Sequence, residues 1–176
     1  MSTLKSNQNS DLRKLLGNRT YVKATLAINA GSAATIKNTG AIIFSVDGVM
    51  LTKAALSAQS IAITHDQFGR DVTTQPSLAA YVQPVLTTVY YIIALNAGGT
   101  VATVQGGYAG QALTLNNQAF LSDGSMPVCP EGYTPVGVIK VALAGAATFT
   151  PATTALDAAS VTATYFDVST LPTAAL

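Results

Sequence analysis

The stretch that decides the fold runs Val85-Leu86-Thr87-Thr88-Val89-Tyr90-Tyr91-Ile92-Ile93-Ala94-Leu95, then Asn96-Ala97-Gly98-Gly99, then Thr100-Val101-Ala102-Thr103-Val104-Gln105. β-Branched and aromatic side chains fill both arms and a Gly-Gly turn separates them, which predicts strand–turn–strand. Tyr90 to Leu95 is the longest apolar run and is strand-sized. It falls far short of the roughly 20 residues that a membrane helix needs, so no membrane partner is expected. No G-K-[ST] follows Gly98-Gly99 or Gly106-Gly107, which argues against a phosphate-binding loop.

Working outward, the same region lacks charge. From Val72 to Ser122 there is no Lys, Arg, Asp, Glu or His, and charged residues make up 10% of the 176-residue chain. Soluble domains usually carry about 25%. Covering an amide or hydroxyl that finds a partner is cheap, whereas covering an unpaired charge is costly. The uncharged middle therefore reads as a surface made to be covered by another chain, with Tyr81, Tyr90, Tyr91 and Tyr108 as candidate oligomer-interface residues. Tyrosine suits that role because its ring buries well and its hydroxyl finds a partner. Phe44, Phe149 and Phe166 read as core.

The flanks extend the β reading. Val22, Ala24, Leu26 and Ile28 alternate with Tyr21, Lys23, Thr25 and Ala27, the period of a half-buried strand. Ala41 to Val46 reads as a buried strand, ended by the hairpin signal Asp47-Gly48 with Val49 to Leu51 as the return. Ala54 to Ala58 is compatible with a helix, and Ser60 to Thr64 reads as a strand. A loop from His65 to Pro76 precedes Val85 to Leu95, Thr100 to Gln105 and Ala112 to Asn116. Val136 to Leu143 and Val161 to Val168 close the chain. About eight strands at spacings near ten residues predict an all-β sandwich, jelly roll or small barrel. Residues 21–176 form this single domain, with a soft division near 65–80.

Residues 1–20 read differently. Residues 1–9 form an extended arm. Ser10 can cap a short helix ended by Gly17, with Leu12, Leu15 and Leu16 on one face. Such a helix needs a docking surface to persist. Residues 1–46 carry six basic residues against Asp11, and the remainder three against seven acidic ones. Lys5, Leu12, Arg13, Lys14, Leu15, Leu16 and Arg19 are therefore candidates for docking on an acidic protein surface. The basic residues are spaced out without interleaved aromatics, which disfavours nucleic acid as the partner.

Catalytic chemistry is poorly supplied. His65 is the only histidine and no G-x-S-x-G elbow accompanies it. One Cys and one His cannot make a conventional zinc site. Asp66 and Asp71 lack a calcium-loop pattern, and an Arg70 ion pair within that loop is expected instead. Cys129 reads as a small buried hydrophobe. No enzyme activity, cofactor or metal is expected. The opening residues lack a secretory h-region, so synthesis in a cytoplasm is expected.

Two runs carry a resemblance. They are Met126-Pro127-Val128-Cys129-Pro130-Glu131-Gly132-Tyr133-Thr134-Pro135-Val136-Gly137-Val138-Ile139-Lys140-Val141, followed by Phe149 to Asp157, and the ending Val161-Thr162-Ala163-Thr164-Tyr165-Phe166-Asp167-Val168-Ser169. Over roughly residues 80–176 the chain resembles small virion structural proteins of tailed bacteriophages, in particular capsid decoration (cement) proteins. The resemblance implies a homo-oligomer, typically a trimer, seated on the outer capsid surface with the major capsid protein as partner. It would be made in the bacterial host cytoplasm and stabilise the lattice. Head-fibre and tail-fibre components share this style of sequence, and a role in host-surface recognition is the alternative.

Overall fold

The fold is built around one long strand flanked on both sides. The computed structural model describes residues 17–73, 81–108 and 124–168, together with the backbone of 112–115 and 118–121. Its strands are β1 Arg19–Thr20, β2 Ala27–Ile28, β3 Thr35–Lys37, β4 Ile42–Val46, β5 Val49–Lys53, β6 Gln59–Ser60, β7 Thr88–Asn96, β8 Val101–Gln105, β9 Ala112–Leu115, β10 Gln118–Leu121, β11 Tyr133–Leu143 and β12 Val161–Asp167. All pairings between these strands are antiparallel. The sheets run β12-β11-β7-β8, β1-β4-β5 and β2-β3-β6, with β9 and β10 as a separate hairpin. The protein is all-β, its sheets packed face to face as in a sandwich, and the described residues contain no α-helix.

One core joins the three larger sheets. Ile42, Phe44 and Val46 from β4, Ile36 from β3, Val89, Tyr91, Ile93 and Leu95 from β7, and Ile139 and Val141 from β11 meet in it. Each large side chain taken fully out of water there contributes about 1.5–3 kcal/mol. Core members lie on both sides of residues 65–80, from Ala24 to Val161, so the soft division does not separate two cores. A bulge between Pro135 and Gly137 shifts the β11 register, which lets both Val136 and Ile139 face the core. Gly137 sits where Leu26 presses on β11, and an added methyl would collide with that side chain.

Several expected elements are relocated. The strand over residues 22–28 shrinks to β2, while Ala24 and Leu26 keep the inward positions their alternation gave them. Thr25 breaks the ladder with a φ of 48° and gives its N–H to the Asp167 carboxylate at 2.7 Å. Ala54 to Ala58 is not helical: Leu56 is buried and its backbone N–H donates to Asn38 Oδ1. Val85 and Leu86 form a turn ahead of β7, with Leu86 at a φ of 58°. Asp47-Gly48 does close the β4–β5 hairpin, at φ values of 50° and 75°, as a primed turn requires. The expected helix and arm over residues 1–16 lie outside the described residues. Residues 17–20 belong to the β domain, because β1 pairs with Ser45 and Phe44 of β4.

Candidate functional site

The four-stranded sheet has two faces of unlike chemistry. Val89, Tyr91, Ile93 and Leu95 point from β7 into the main core, and Tyr90, Ile92 and Ala94 point the other way. This outer face gathers a second, smaller cluster of Ile92, Ala94, Ala102, Val104 and Val138, partly covered by Cys129, Tyr133 and Val168. Two loops cross it. Val128 N–H donates to Gln67 O at 3.0 Å, which ties the 124–133 segment to the 66–70 loop. Gly106 and Gly107 let that segment pass close over the sheet, where Cβ atoms would strike Ser125.

The loops and the sheet margin carry apolar side chains into water. Phe68, Met126, Val128 and Phe166 are 61%, 55%, 58% and 40% exposed. Phe166 stands opposite Val138 on β11 and so shares the outer face with Ile92. Its expected core position is therefore corrected; Phe44 and Phe149 are core, at 1% and 0% exposure. Charge on this side is sparse. Lys140 lies with its ammonium 6.0 Å from the Tyr90 ring centroid, and Arg70 stacks 5.2 Å from that of Phe68. Exposed apolar patches with polar rims commonly mark interaction surfaces.

The four tyrosines singled out in the sequence separate into two groups. Only Tyr90 reaches the outer face. Tyr91 is fully buried, which overturns its assignment to an oligomer interface: it has no surface to offer a partner. Its hydroxyl donates to Gln83 Oε1 at 3.0 Å and its ring meets Phe149 edge-on. Gln83 is itself fully buried and donates through Nε2 to Thr87 O and Val141 O. Tyr81 and Tyr108 pack half-buried against the same core. Gln105 joins Tyr81 to Tyr91: its Nε2 donates to Tyr81 O at 3.2 Å and contacts the Tyr91 hydroxyl. Burial pushes the phenols of Tyr91 and Tyr108 above their ordinary range. Burial inside the chain itself thus accounts for much of the missing charge in β7 and β8, with Gln and Thr serving as internal hydrogen-bond partners. Sequence reasoning passed over Gln83 and Gln105, although glutamine amid apolar strand residues signals such a partner.

Of the basic docking candidates, Arg19 lies exposed on β1 opposite Ser45. Lys5, Leu12, Arg13, Lys14, Leu15 and Leu16 fall outside the described residues.

The residues screened for catalysis are engaged structurally. The Asp66 carboxylate accepts the N–H groups of Phe68 and Arg70 and pairs with the Arg70 guanidinium at 2.6 Å, the ion pair read from the loop. Partial burial pushes the Asp66 carboxyl up, but the Arg70 contacts and these N–H groups outweigh it and hold it below its usual value. His65 is buried, with Nδ1 2.9 Å from Thr64 Oγ1 and its ring against the edge of Tyr133. Burial lowers its pKa, an effect that the Asp71 and Asp66 carboxylates only partly offset. The Cys129 thiol is pushed up to about 11 by burial, so it stays protonated and a poor nucleophile at neutral pH. Among the described residues no cluster of three or more His, Cys, Asp or Glu side chains is placed to hold a metal ion.

Comparison of the chain with protein-family models, curated proteins and solved structures found no match.

Proposed function

We propose that this chain is a structural virion protein of a tailed phage, a capsid decoration subunit that binds the outside of the assembled shell and stabilises the lattice. The observation that carries this reading is the outer face of the four-stranded sheet. It presents Phe68, Met126, Val128 and Phe166 to water beside Tyr90, with Lys140 and Arg70 as its nearby cations. Most of that face is built by the residues on which the resemblance to decoration proteins rests. The subunit acts as a homo-oligomer on the major capsid protein, and residues 1–16 with Arg19 supply a basic contact to the shell. A subunit that binds only the assembled lattice adds its binding free energy to that lattice by mass action.

Co-sedimentation with assembled heads stripped of the chain tests this reading. The full chain is expected to pellet with the heads. A version starting at Gly17 is expected to stay folded and remain in the supernatant. The cut belongs before Gly17 because Gly17 O accepts hydrogen bonds from Ser45 Oγ and Gly48 N–H, and β1 follows directly. A full chain that never pellets with heads overturns the decoration role. Equal pelleting by both versions overturns the contact assigned to residues 1–16 and leaves the sheet face as the contact.

A further inference from the structure

The two edges of the four-stranded sheet are treated differently. At β8, residues 64 and 65 lie along the edge. Thr64 and His65 N–H groups donate to Thr103 O, Gln105 N–H donates to His65 O, and Thr103 N–H donates to Thr64 Oγ1. At β12 no strand or loop backbone pairs with the outer edge among the described residues. Its only anchored point there is the Asp167 carboxylate, which accepts the Thr25 N–H. β12 reads Val161-Thr162-Ala163-Thr164-Tyr165-Phe166-Asp167, seven residues with no charge before the last. An edge of this length normally carries a lysine, a proline or a bulge to repel other strands; β12 carries none of these.

We infer that β12 pairs antiparallel with β12 of a second copy of this chain, across a two-fold axis at Thr164. The sequence is self-complementary about that residue. In this register Thr164 meets its own copy, small Ala163 faces large Tyr165, Thr162 faces Phe166, and Val161 faces Asp167. Each large side chain lies beside a small one and no like charges meet, which favours cross-strand packing. Phe166, exposed in the single chain, gains a covering neighbour on the outer face. The nearest like charges on that face are the two Lys140 side chains, each directly opposite a Thr164. They stand three strand spacings apart, about 14 Å, beyond the roughly 8 Å screening length at physiological salt. The result is an eight-stranded sheet whose two outer edges are both the capped β8 edge. The inference is independent of the capsid reading, since a chain that binds no shell can still pair this way.

Thr164→Lys tests it. In the single chain position 164 is exposed but lies opposite Lys140, so T164K carries a modest repulsion within the fold, and Thr164→Glu alone, which faces Lys140 with the opposite charge, is expected to lose the pairing equally. In the pair it sets two ammonium groups face to face between the two Lys140. Native mass spectrometry and sedimentation of the full chain are expected to show two-fold pairing, and T164K is expected to lose it at the same concentration while keeping the unaltered circular dichroism. Mixing T164K with Thr164→Glu is expected to restore a species containing one chain of each. An unaltered chain without two-fold pairing, a T164K assembly identical to the unaltered one, or a mixture that forms no mixed pair overturns the inference.

Discussion

Tyr90 and Tyr91 are adjacent in one strand of one uncharged run, yet one lies on the outer face of the sheet and the other is sealed in the core. The inner face of the four-stranded sheet is finished within the subunit: Tyr91, Gln83 and Phe149 satisfy each other's shape and polarity. The outer face is finished only in part, by two loops that leave four large apolar side chains in water. A lack of charge therefore has two settings in this chain, self-burial on one side and a partly exposed apolar face on the other. They are told apart only once strands are assigned faces.

The sharpest way to break this comparison is Tyr91→Ala. It removes a fully buried aromatic and strands Gln83 Oε1, so a loss of about 3–5 kcal/mol is expected in urea unfolding. A change that merely separates subunits while leaving each one folded would place Tyr91 at an interface after all. Tyr91→Lys, by the same logic, disrupts the fold itself and not an oligomer.

A smaller effect is expected from pH, through the residue that caps β8. His65 stays neutral in the fold below its ordinary pKa of 6.5, because burial disfavours the imidazolium. The unfolded chain takes up that proton first, so stability falls as pH drops from about 6.5 toward the folded-state value. Asp66 and Asp71 act in a lower window: both are held below 3.8, so their contribution is present above that pH and is lost as pH falls through their folded-state values. Urea midpoints measured from pH 7.5 to 5 are expected to decline, and His65→Gln is expected to flatten that slope. An unchanged slope would show that another group carries it.

Tyr90→Ala should be the mildest. Its ring lies on the outer face beside Lys140, so the expected loss of stability is within about 1 kcal/mol. Calorimetric unfolding checks this. A loss as large as that of Tyr91→Ala would mean that the outer face is as load-carrying as the inner one.

Legibility in the sequence followed local chemistry. β12 and the Asp47-Gly48 hairpin were readable because their residues state a strand and a turn without reference to anything distant. The Asp66–Arg70 pair was readable for the same reason. Face assignment in β7 was not. A central strand buried on both sides loses the polar–apolar alternation that marks its faces, so Tyr90 and Tyr91 look equivalent. Gln83 and Gln105 drew no assignment, because their partners are carbonyls and a phenol contributed by other segments. Phe166 looked like core because its exposure depends on β12 being an edge, a fact of strand order. The strand over residues 22–28 failed because its ladder yields to the Asp167 side chain, 142 positions away from Thr25.

The central place of β11 has a consequence for how the chain matures. β11 is the partner of both β7 and β12, and Thr134 on it also hydrogen-bonds to Ser45 O, 89 positions earlier. During translation the apolar β7 run therefore emerges well before the strand that will cover its flank. Closure of the sandwich waits until residues 133–143 have left the ribosome, and pairing of such sequence-distant strands takes milliseconds to seconds. The nascent polypeptide spends that interval with the β11-facing edge of Tyr90–Leu95 unpaired, so slower delivery of residues 133–143 is expected to lower the folded yield.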